Sequence, residues 1–228
     1  MKIVAILQAR MGSTRLPGKI MLPLAGRPML EQLYRRVTRA TTLDQVIIAM
    51  PTGSWNAIRD AYMPFEAVSL HEGEEDDLVA RYLACATRHQ ADVIVRIPCD
   101  NPCVDPAYLD AAVRAYLRDP CVYYSNTTAY VGDVAVDGIG AEVLSMSRLQ
   151  WLDQRTQGHA LWREHPHRYF EECGLLQVPK ADLRLDVNTL EDYERIARLY
   201  THFGHNRFTS TESVTYYQEV SHAPVQVQ

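Results

Sequence analysis

Near its start the chain carries five consecutive apolar residues, Ile3-Val4-Ala5-Ile6-Leu7, and then turns abruptly polar and basic. Branched apolar residues without apolar–polar alternation describe a strand covered on both faces, the kind found inside a parallel sheet. The next segment, Gln8-Ala9-Arg10-Met11-Gly12-Ser13-Thr14-Arg15-Leu16-Pro17-Gly18-Lys19, reads as a loop. Gly12 and Gly18 let backbone approach a ligand, Ser13 and Thr14 offer hydroxyls, and Arg10, Arg15 and Lys19 bring positive charge with no acid among them. Those are the parts of a polyphosphate cradle. The P-loop of ATPases and GTPases is excluded, because it puts four residues between its glycines and a Ser or Thr after its lysine. Here five residues separate Gly12 from Gly18, and Ile20 follows Lys19. The dinucleotide fingerprint is excluded as well, since GxGxxG does not occur.

Length and charge narrow the class. A chain of 228 residues suits one α/β domain with room for a small insertion. A net charge of -5 and a pI near 5.9 argue against nucleic-acid or membrane-surface partners, so the basic residues of the loop are local tools. No stretch approaches the roughly 18 apolar residues of a membrane span, and Met1-Lys2 leads into a strand rather than a signal peptide. The expected location is the cytoplasm. Five cysteines, an odd number, point to reduced thiols rather than a disulfide framework. Cys99 and Cys103 have no second cysteine pair to make a zinc site. His159, His165 and His167 cluster in sequence and read as partly exposed helix or loop residues.

The remaining chain alternates strands and helices. Pro28 marks a helix start with Leu30, Leu33, Tyr34 and Val37 at helical spacing, and residues 45–50 form the next strand. A short helix over 55–62 and a short strand over 66–70 precede an acidic loop, 71–77, which enters a helix bearing Leu78, Val79, Tyr82, Leu83 and Ala86. Residues 92–97 are another buried strand, ending in Pro98-Cys99-Asp100-Asn101-Pro102. Ligands of open α/β sheets sit at the carboxyl ends of strands, which places Asp100 beside the first loop. Asp105 and Pro106 read as N-cap and first residue of a helix over 107–117. Next come a strand at 121–125 and a loop at 126–132, and residues from about 120 to 175 break the alternation as an inserted lobe. Residues 183–193 read as a strand entering a helix, with Thr189 as N-cap and Asp192 three residues on. The expected fold is a single Rossmann-like, doubly wound, mostly parallel α/β sheet over residues 1–205, with 206–228 a loosely held extension.

The first loop, together with Leu24-Ala25-Gly26-Arg27-Pro28-Met29-Leu30, resembles the opening signature of cytidylyltransferases that activate sugar acids. The nearest likeness is to the spore-coat-polysaccharide cytidylyltransferase family, related to the enzymes that make CMP-ketodeoxyoctonate and CMP-sialic acid. It runs over most of the chain. The resemblance implies a nucleotidyltransferase-type fold in which Gln8, Ala9, Arg10, Gly12, Ser13, Thr14, Arg15 and Lys19 bind nucleotide. Asp77-Leu78-Val79-Ala80-Arg81 resembles the family's Asp-Val-Leu-x-Arg element beside the nucleotide, with Arg81 reaching toward base or phosphate; as plain structure these acids are a solvated helix start favoured by the dipole. Arg96 to Pro106 resembles Arg-x-x-Gly-Asp-x-Pro-x-x-x-Pro, which implies nucleotide contact by Arg96 and magnesium binding by Asp100, with Cys99 in place of the glycine.

Asp137-Gly138-Ile139-Gly140-Ala141-Glu142-Val143 fits Asp-Gly-x-x-x-Glu-Val, and Arg163-Glu164-His165 resembles its Arg-Glu-His companion. Both accompany the acceptor in the family, which implicates Glu142, Arg163, Glu164 and His165; as plain structure they are a hairpin turn and a helix start. Near the end the family commonly reads Val-Asp-Thr-Pro-Glu-Asp, so Asn188 stands where a metal-binding aspartate would and Leu190 where the proline would. An asparagine carbonyl still serves magnesium, and Asp186, two residues earlier, restores the charge. The whole implies a Mg²⁺-dependent homodimer that transfers CMP from CTP to a small anionic acceptor, with Arg15, Lys19 and Asp100 carrying catalysis and pyrophosphate leaving. A sugar acid of the ketodeoxyoctonate or nonulosonate kind, destined for surface polysaccharide, is the first expectation. A phosphonate or phosphorylated small molecule is the second, and a nucleotide-binding module without turnover the third.

Overall fold

In the computed structural model of the protein, residues 1–54 and 68–222 are described. The helix expected over 55–62 lies outside them. Strand β1 (Ile3–Gln8) is flanked by β2 (Gln45–Pro51) and β4 (Val93–Pro98), with β3 (Ser69–Gly73) beyond β2. These four run parallel, Ile6 lying opposite Ile47 on one side and Arg96 on the other. Two further strands, β8 (Glu142–Ser145) and β5 (Tyr124–Ser125), extend the sheet antiparallel beyond β4. The sheet order is β3-β2-β1-β4-β8-β5, so the winding reverses between β1 and β4, where such folds place their ligands.

The burial of β1 explains its unbroken apolar run. Val4 and Ile6 enter a core shared with α2 (Leu78–Arg88), α4 (Met146–Arg155) and α6 (Pro166–Glu172). Ala5 and Leu7 enter the opposite core, shared with α1 (Met29–Val37), α3 (Pro106–Arg118) and α7 (Leu190–Phe203). Each Leu or Ile fully removed from water in these cores stabilises the fold by about 1.5–3 kcal/mol. The doubly wound, mostly parallel sheet is the fold the sequence implies.

The segment after α3 departs from the sequence reading. Only Tyr124–Ser125 of the expected strand at 121–125 pairs, and the expected loop at 126–132 contains strand β6 (Thr128–Val131). It pairs with β7 (Val134–Asp137) across the two-residue turn Gly132-Asp133, Gly132 taking φ 60°. Gly-Asp between two valines is a hairpin signal in its own right. The parallel strand β9 (Leu183–Arg184) completes this second, three-stranded sheet. In chain order, α4, the short α5 (Ala160–Glu164) and α6 come between β8 and β9.

The extension from 206 is also tied down more firmly than its polar sequence implies. It contains helix α8 (Ser210–His222), and Phe208 and Val214 are buried in the core of α1 and α3. Arg36, fully buried, donates to the carbonyls of Cys103, Val104, Asn206 and Phe208 and stacks on the Phe208 ring at 4.4 Å. Asp105 caps two helices: it accepts from the Ala107 amide of α3, and from the amide and hydroxyl of Ser210 at 2.7 and 2.9 Å. Among the described residues, no helix is long and apolar enough to cross a membrane.

Candidate active site

The loops after β1 and β4 lie side by side because their strands do: Gln8 is in register with Pro98, and the Cys99 amide donates to the Gln8 carbonyl. The first loop closes on itself, with the amides of Ser13 and Gly18 both donating to the Met11 carbonyl at 3.0 Å. Gly18, at φ 67°, turns the chain into a 3-10 turn, Lys19–Met21, which aims Lys19 inward. A crevice of about 360 Å³ opens between the two loops. Gln8, Arg10, Ser13, Thr14, Arg15, Lys19, Arg96, Asp100, Glu142, His165 and Asn188, all expected at the site, line it.

Lys19 is the hub. Its ammonium lies 2.7 Å from the Val187 carbonyl, 3.2 Å from Asn188 Oδ1 and 3.3 Å from Asp100 Oδ2. Arg15 donates to the same Asn188 oxygen at 2.9 Å, and the Val187 amide donates to the Asp100 carbonyl at 2.7 Å. Residues separated by more than eighty positions thus meet around one point. Asp186 sits one step behind: both its oxygens accept from Arg184, and one also accepts from the Asn188 amide. Its carboxylate therefore orients Asn188, turning Oδ1 toward the crevice, rather than facing the crevice itself. Asp100, Asp137 and Asn188 all line the crevice, and oxygen donors of this kind are the ones a hard divalent cation takes. Cys99 occupies the glycine position without strain, since its φ is not positive, and its side chain is buried in the crevice wall.

The opposite wall is built on a buried ion pair. Arg96 and Glu142, each about 7% exposed, face each other across β4 and β8, and Arg96 also donates to Gln8 Oε1 at 3.1 Å. Burial alone would lower the Arg96 pKa, but Glu142 outweighs it and holds the guanidinium more firmly charged. Beside this pair, burial and the charge of Arg96 push His167 down to about 4, and burial lowers His165 too. Asp137, whose carboxylate accepts from Thr128 at 2.8 Å, has its pKa raised chiefly by burial. Arg10 crosses the mouth to Glu164 at 3.0 Å.

Several expected residues, Asp186 and Glu164 among them, do not line the crevice. Ala9 is buried, its amide donating to the Ala49 carbonyl, and Gly12 faces open space. Asp77 caps α2 through the Ala80 amide and accepts from Arg163 Nε at 2.6 Å. Arg163 also binds Asp153 at 2.7 Å, so it ties α5 to α2 and α4. Arg81 is 1% exposed and donates to the carbonyls of Glu74 and Glu75, holding the loop before its own helix. Conversely, Thr127, Thr128, Asp137 and His167 line the crevice without having been expected as site residues. Asp137 was visible in the Asp-Gly element; the two threonines lie in the hairpin read as loop.

Comparison with known proteins agrees with this geometry. The family model described as "Cytidylyltransferase" matches residues 4–220. The spore coat polysaccharide biosynthesis protein SpsF of Bacillus subtilis is 32% identical over 213 residues, 89% of this chain and 88% of that protein. The 3-deoxy-manno-octulosonate cytidylyltransferase of Trichlorobacter lovleyi is 34% identical over 121 residues, 53% of this chain and 47% of that protein, so the match spans about half of each. Among solved structures, a cytidylyltransferase from Leptospira borgpetersenii superposes over the full length of both chains, with a TM-score of 0.82 and 26% identity. A CMP:2-keto-3-deoxy-manno-octonic acid synthetase complexed with CTP shares the fold at TM-score 0.67 and 17% identity, over 89% of this chain and 99% of that one. A matched model over nearly the whole chain and a full-length relative set the assignment: the protein belongs to the cytidylyltransferase family of nucleotidyltransferases.

Proposed function

We propose that this chain transfers CMP from CTP to a sugar acid of the ketodeoxyoctonate or nonulosonate kind, releasing pyrophosphate, for surface polysaccharide synthesis. The observation that carries the reading is the convergence of Lys19, Arg15, Asp100 and Asn188 on one point at the winding reversal. CTP carries about four negative charges, and an anionic acceptor must approach its α-phosphorus against them. Transfer of this kind asks for positioning and charge neutralisation more than covalent chemistry. Arg10, Arg15 and Lys19 would neutralise the β- and γ-phosphates, and Ser13 and Thr14 would add hydroxyl donors. The acceptor hydroxyl oxygen bonds to the α-phosphorus and loses its proton to solvent as the bond from the α-phosphorus to the oxygen shared with the β-phosphate breaks, and those cations would receive the departing pyrophosphate. Magnesium, held by Asp100 and Asn188, would supply further neutralisation of the phosphates.

The names of relatives support the acceptor class: one acts in spore coat polysaccharide biosynthesis, and another is a 3-deoxy-manno-octulosonate cytidylyltransferase. A structure of this fold complexed with CTP supports the donor. The reading further takes the protein as a cytoplasmic homodimer, for which the exposed Leu161 and Leu175 offer apolar surface. The test is a pyrophosphate-release assay with CTP, Mg²⁺ and a panel of acceptors: sugar acids, phosphonates and phosphorylated small molecules. Release with a sugar acid alone supports the proposal. Release only with a phosphonate or phosphate ester replaces the acceptor, and CTP binding without release under every condition refutes the enzymatic reading. Sedimentation velocity tests the dimer.

A further inference from the structure

At the far edge of the sheet from the crevice mouth, three soft donors meet. His71 lies on the edge strand β3, opposite Ala49 of β2; Cys85 is on α2, and His89 caps the end of that helix. Cys85 and His89 are four residues apart, which brings them onto one face at the helix end. One donor atom from each of the three lies within 4.8 Å of the others. His71 is 7% exposed, yet among the described residues neither of its ring nitrogens has a hydrogen-bond partner, and His89 Nε2 is buried without one as well. Orphaned imidazole nitrogens in a protein interior are rare because their desolvation is left uncompensated. Edge-to-face packing of the two rings, with centroids 6.5 Å apart, fills space but satisfies none of those nitrogens.

We infer that His71, Cys85 and His89 form a binding site for a borderline-soft divalent transition metal of the Zn²⁺ class, which clasps strand β3 to helix α2. Two imidazoles and a thiolate are the donors such an ion selects over the oxygen-preferring magnesium of the crevice. A tetrahedral ion with bonds of about 2.0–2.3 Å spaces its donors about 3.3–3.8 Å apart, so the three side chains close by roughly 1 Å through small rotations. His89 is half-buried, which leaves a side on which water completes the tetrahedron. Its Nδ1 lies 3.4 Å from the Gln45 side-chain amide, which in turn meets Ser69 Oγ at 3.1 Å. With that amide turned about, Gln45 Oε1 accepts from Nδ1–H and fixes the tautomer that presents Nε2 to the metal.

The surroundings keep the imidazoles available. Burial lowers the pKa of both histidines, helped at His71 by His89, Arg88 and Arg81 and at His89 by Lys2 and Arg88, so both are neutral with lone pairs free. Burial pushes the Cys85 thiol up to about 12, so binding must release one proton from sulfur to solvent. The neighbouring arginines disfavour a second divalent ion, which fits a single-ion site.

Cobalt titration of the full-length protein tests this. One equivalent of Co²⁺ should give the intense visible bands of tetrahedral coordination together with a thiolate charge-transfer band. Cys85→Ala should abolish the charge-transfer band and His71→Phe the tetrahedral spectrum. Asp100→Asn, which alters only the crevice, should leave both unchanged. Zn²⁺ at a hundredfold over its Kd should raise Tm by roughly 5–10 °C in the parent protein and not in His89→Gln, a half-exposed position whose substitution spares the core. Bands that survive Cys85→Ala, an octahedral spectrum, or equal Zn²⁺ stabilisation of the parent and His89→Gln would each overturn the inference.

Discussion

The buried pair of Arg96 and Glu142 gives the sharpest prediction on stability. Both side chains are about 7% exposed, so removing one leaves an ion in the interior whose remaining partners are few. Among the described residues, Arg96 would keep Gln8 Oε1 at 3.1 Å as a side-chain acceptor, and its Nε has none even in the intact protein. Breaking such a pair typically costs about 3–5 kcal/mol, whereas replacing both members with apolar side chains of similar volume is often neutral. Glu142→Leu and Arg96→Met should therefore each destabilise by about 3–5 kcal/mol, lowering Tm by roughly 6–20 °C at this chain length. The double variant Arg96→Met/Glu142→Leu should lose far less than their sum, leaving a coupling energy of at least about 2 kcal/mol. Urea denaturation of the four proteins, monitored by far-UV circular dichroism at fixed ionic strength, measures the cycle. Additive losses, or a Glu142→Leu cost under about 1 kcal/mol, would refute the claim that the pair is desolvated and mutually dependent.

Lys19→Met and Asp100→Asn should each lower the rate of pyrophosphate release by about 10²–10³, the cost of losing one group that stabilises transition-state charge, with the circular dichroism spectrum unchanged; activity within threefold of the parent in both would remove the hub from the mechanism. Glu164→Gln should free Arg10 from a pair that is about 42% exposed on each side, tightening CTP binding by no more than about fivefold in calorimetry. His167, pushed down to about 4 when folded against an ordinary 6.5, binds its proton more readily unfolded. Its contribution to stability is therefore complete above pH 6.5 and lost as pH falls toward 4, so His167→Gln should flatten the stability profile in that window. Phe208→Ala should cost about 3–5 kcal/mol, measured by urea denaturation, because the ring is buried against Arg36.

The fold was legible where one physical signal decided it. Five buried apolar residues at Ile3–Leu7, helical spacing from Leu30 to Val37 and the caps Asp105 and Thr189 all act locally, and the structure shows each. The hairpin at 128–137 is harder to see in the sequence because its two-residue Gly-Asp turn follows the polar run Ser125-Asn126-Thr127-Thr128, which resembles a longer loop. The tail differs for another reason: Phe208 and Val214 are isolated apolar positions, and the groups that fix this segment, Arg36 and Asp105 among them, come from distant parts of the sequence. At the site, Lys19, Asp100 and Asn188 could be expected together because strand ends share one crevice. Arg81 and Arg163 could not be placed from sequence, since whether an arginine points at a ligand or clasps a loop depends on carbonyls and carboxylates brought by other segments. Asp186 lies between these cases: its neighbourhood with Asn188 is legible in the sequence, but Arg184, two residues away, claims its carboxylate.

The double cap at Asp105 has a consequence for biogenesis. The loop from Asp100 to Asp105 carries a central acid of the crevice, yet the far end of that loop is pinned by Ser210, translated 105 residues later. A growing chain that has not yet reached this segment therefore lacks the amide and hydroxyl of Ser210 that hold one carboxylate oxygen of Asp105, and at that end of the loop bearing Asp100 the carboxylate is left anchored through the Ala107 amide.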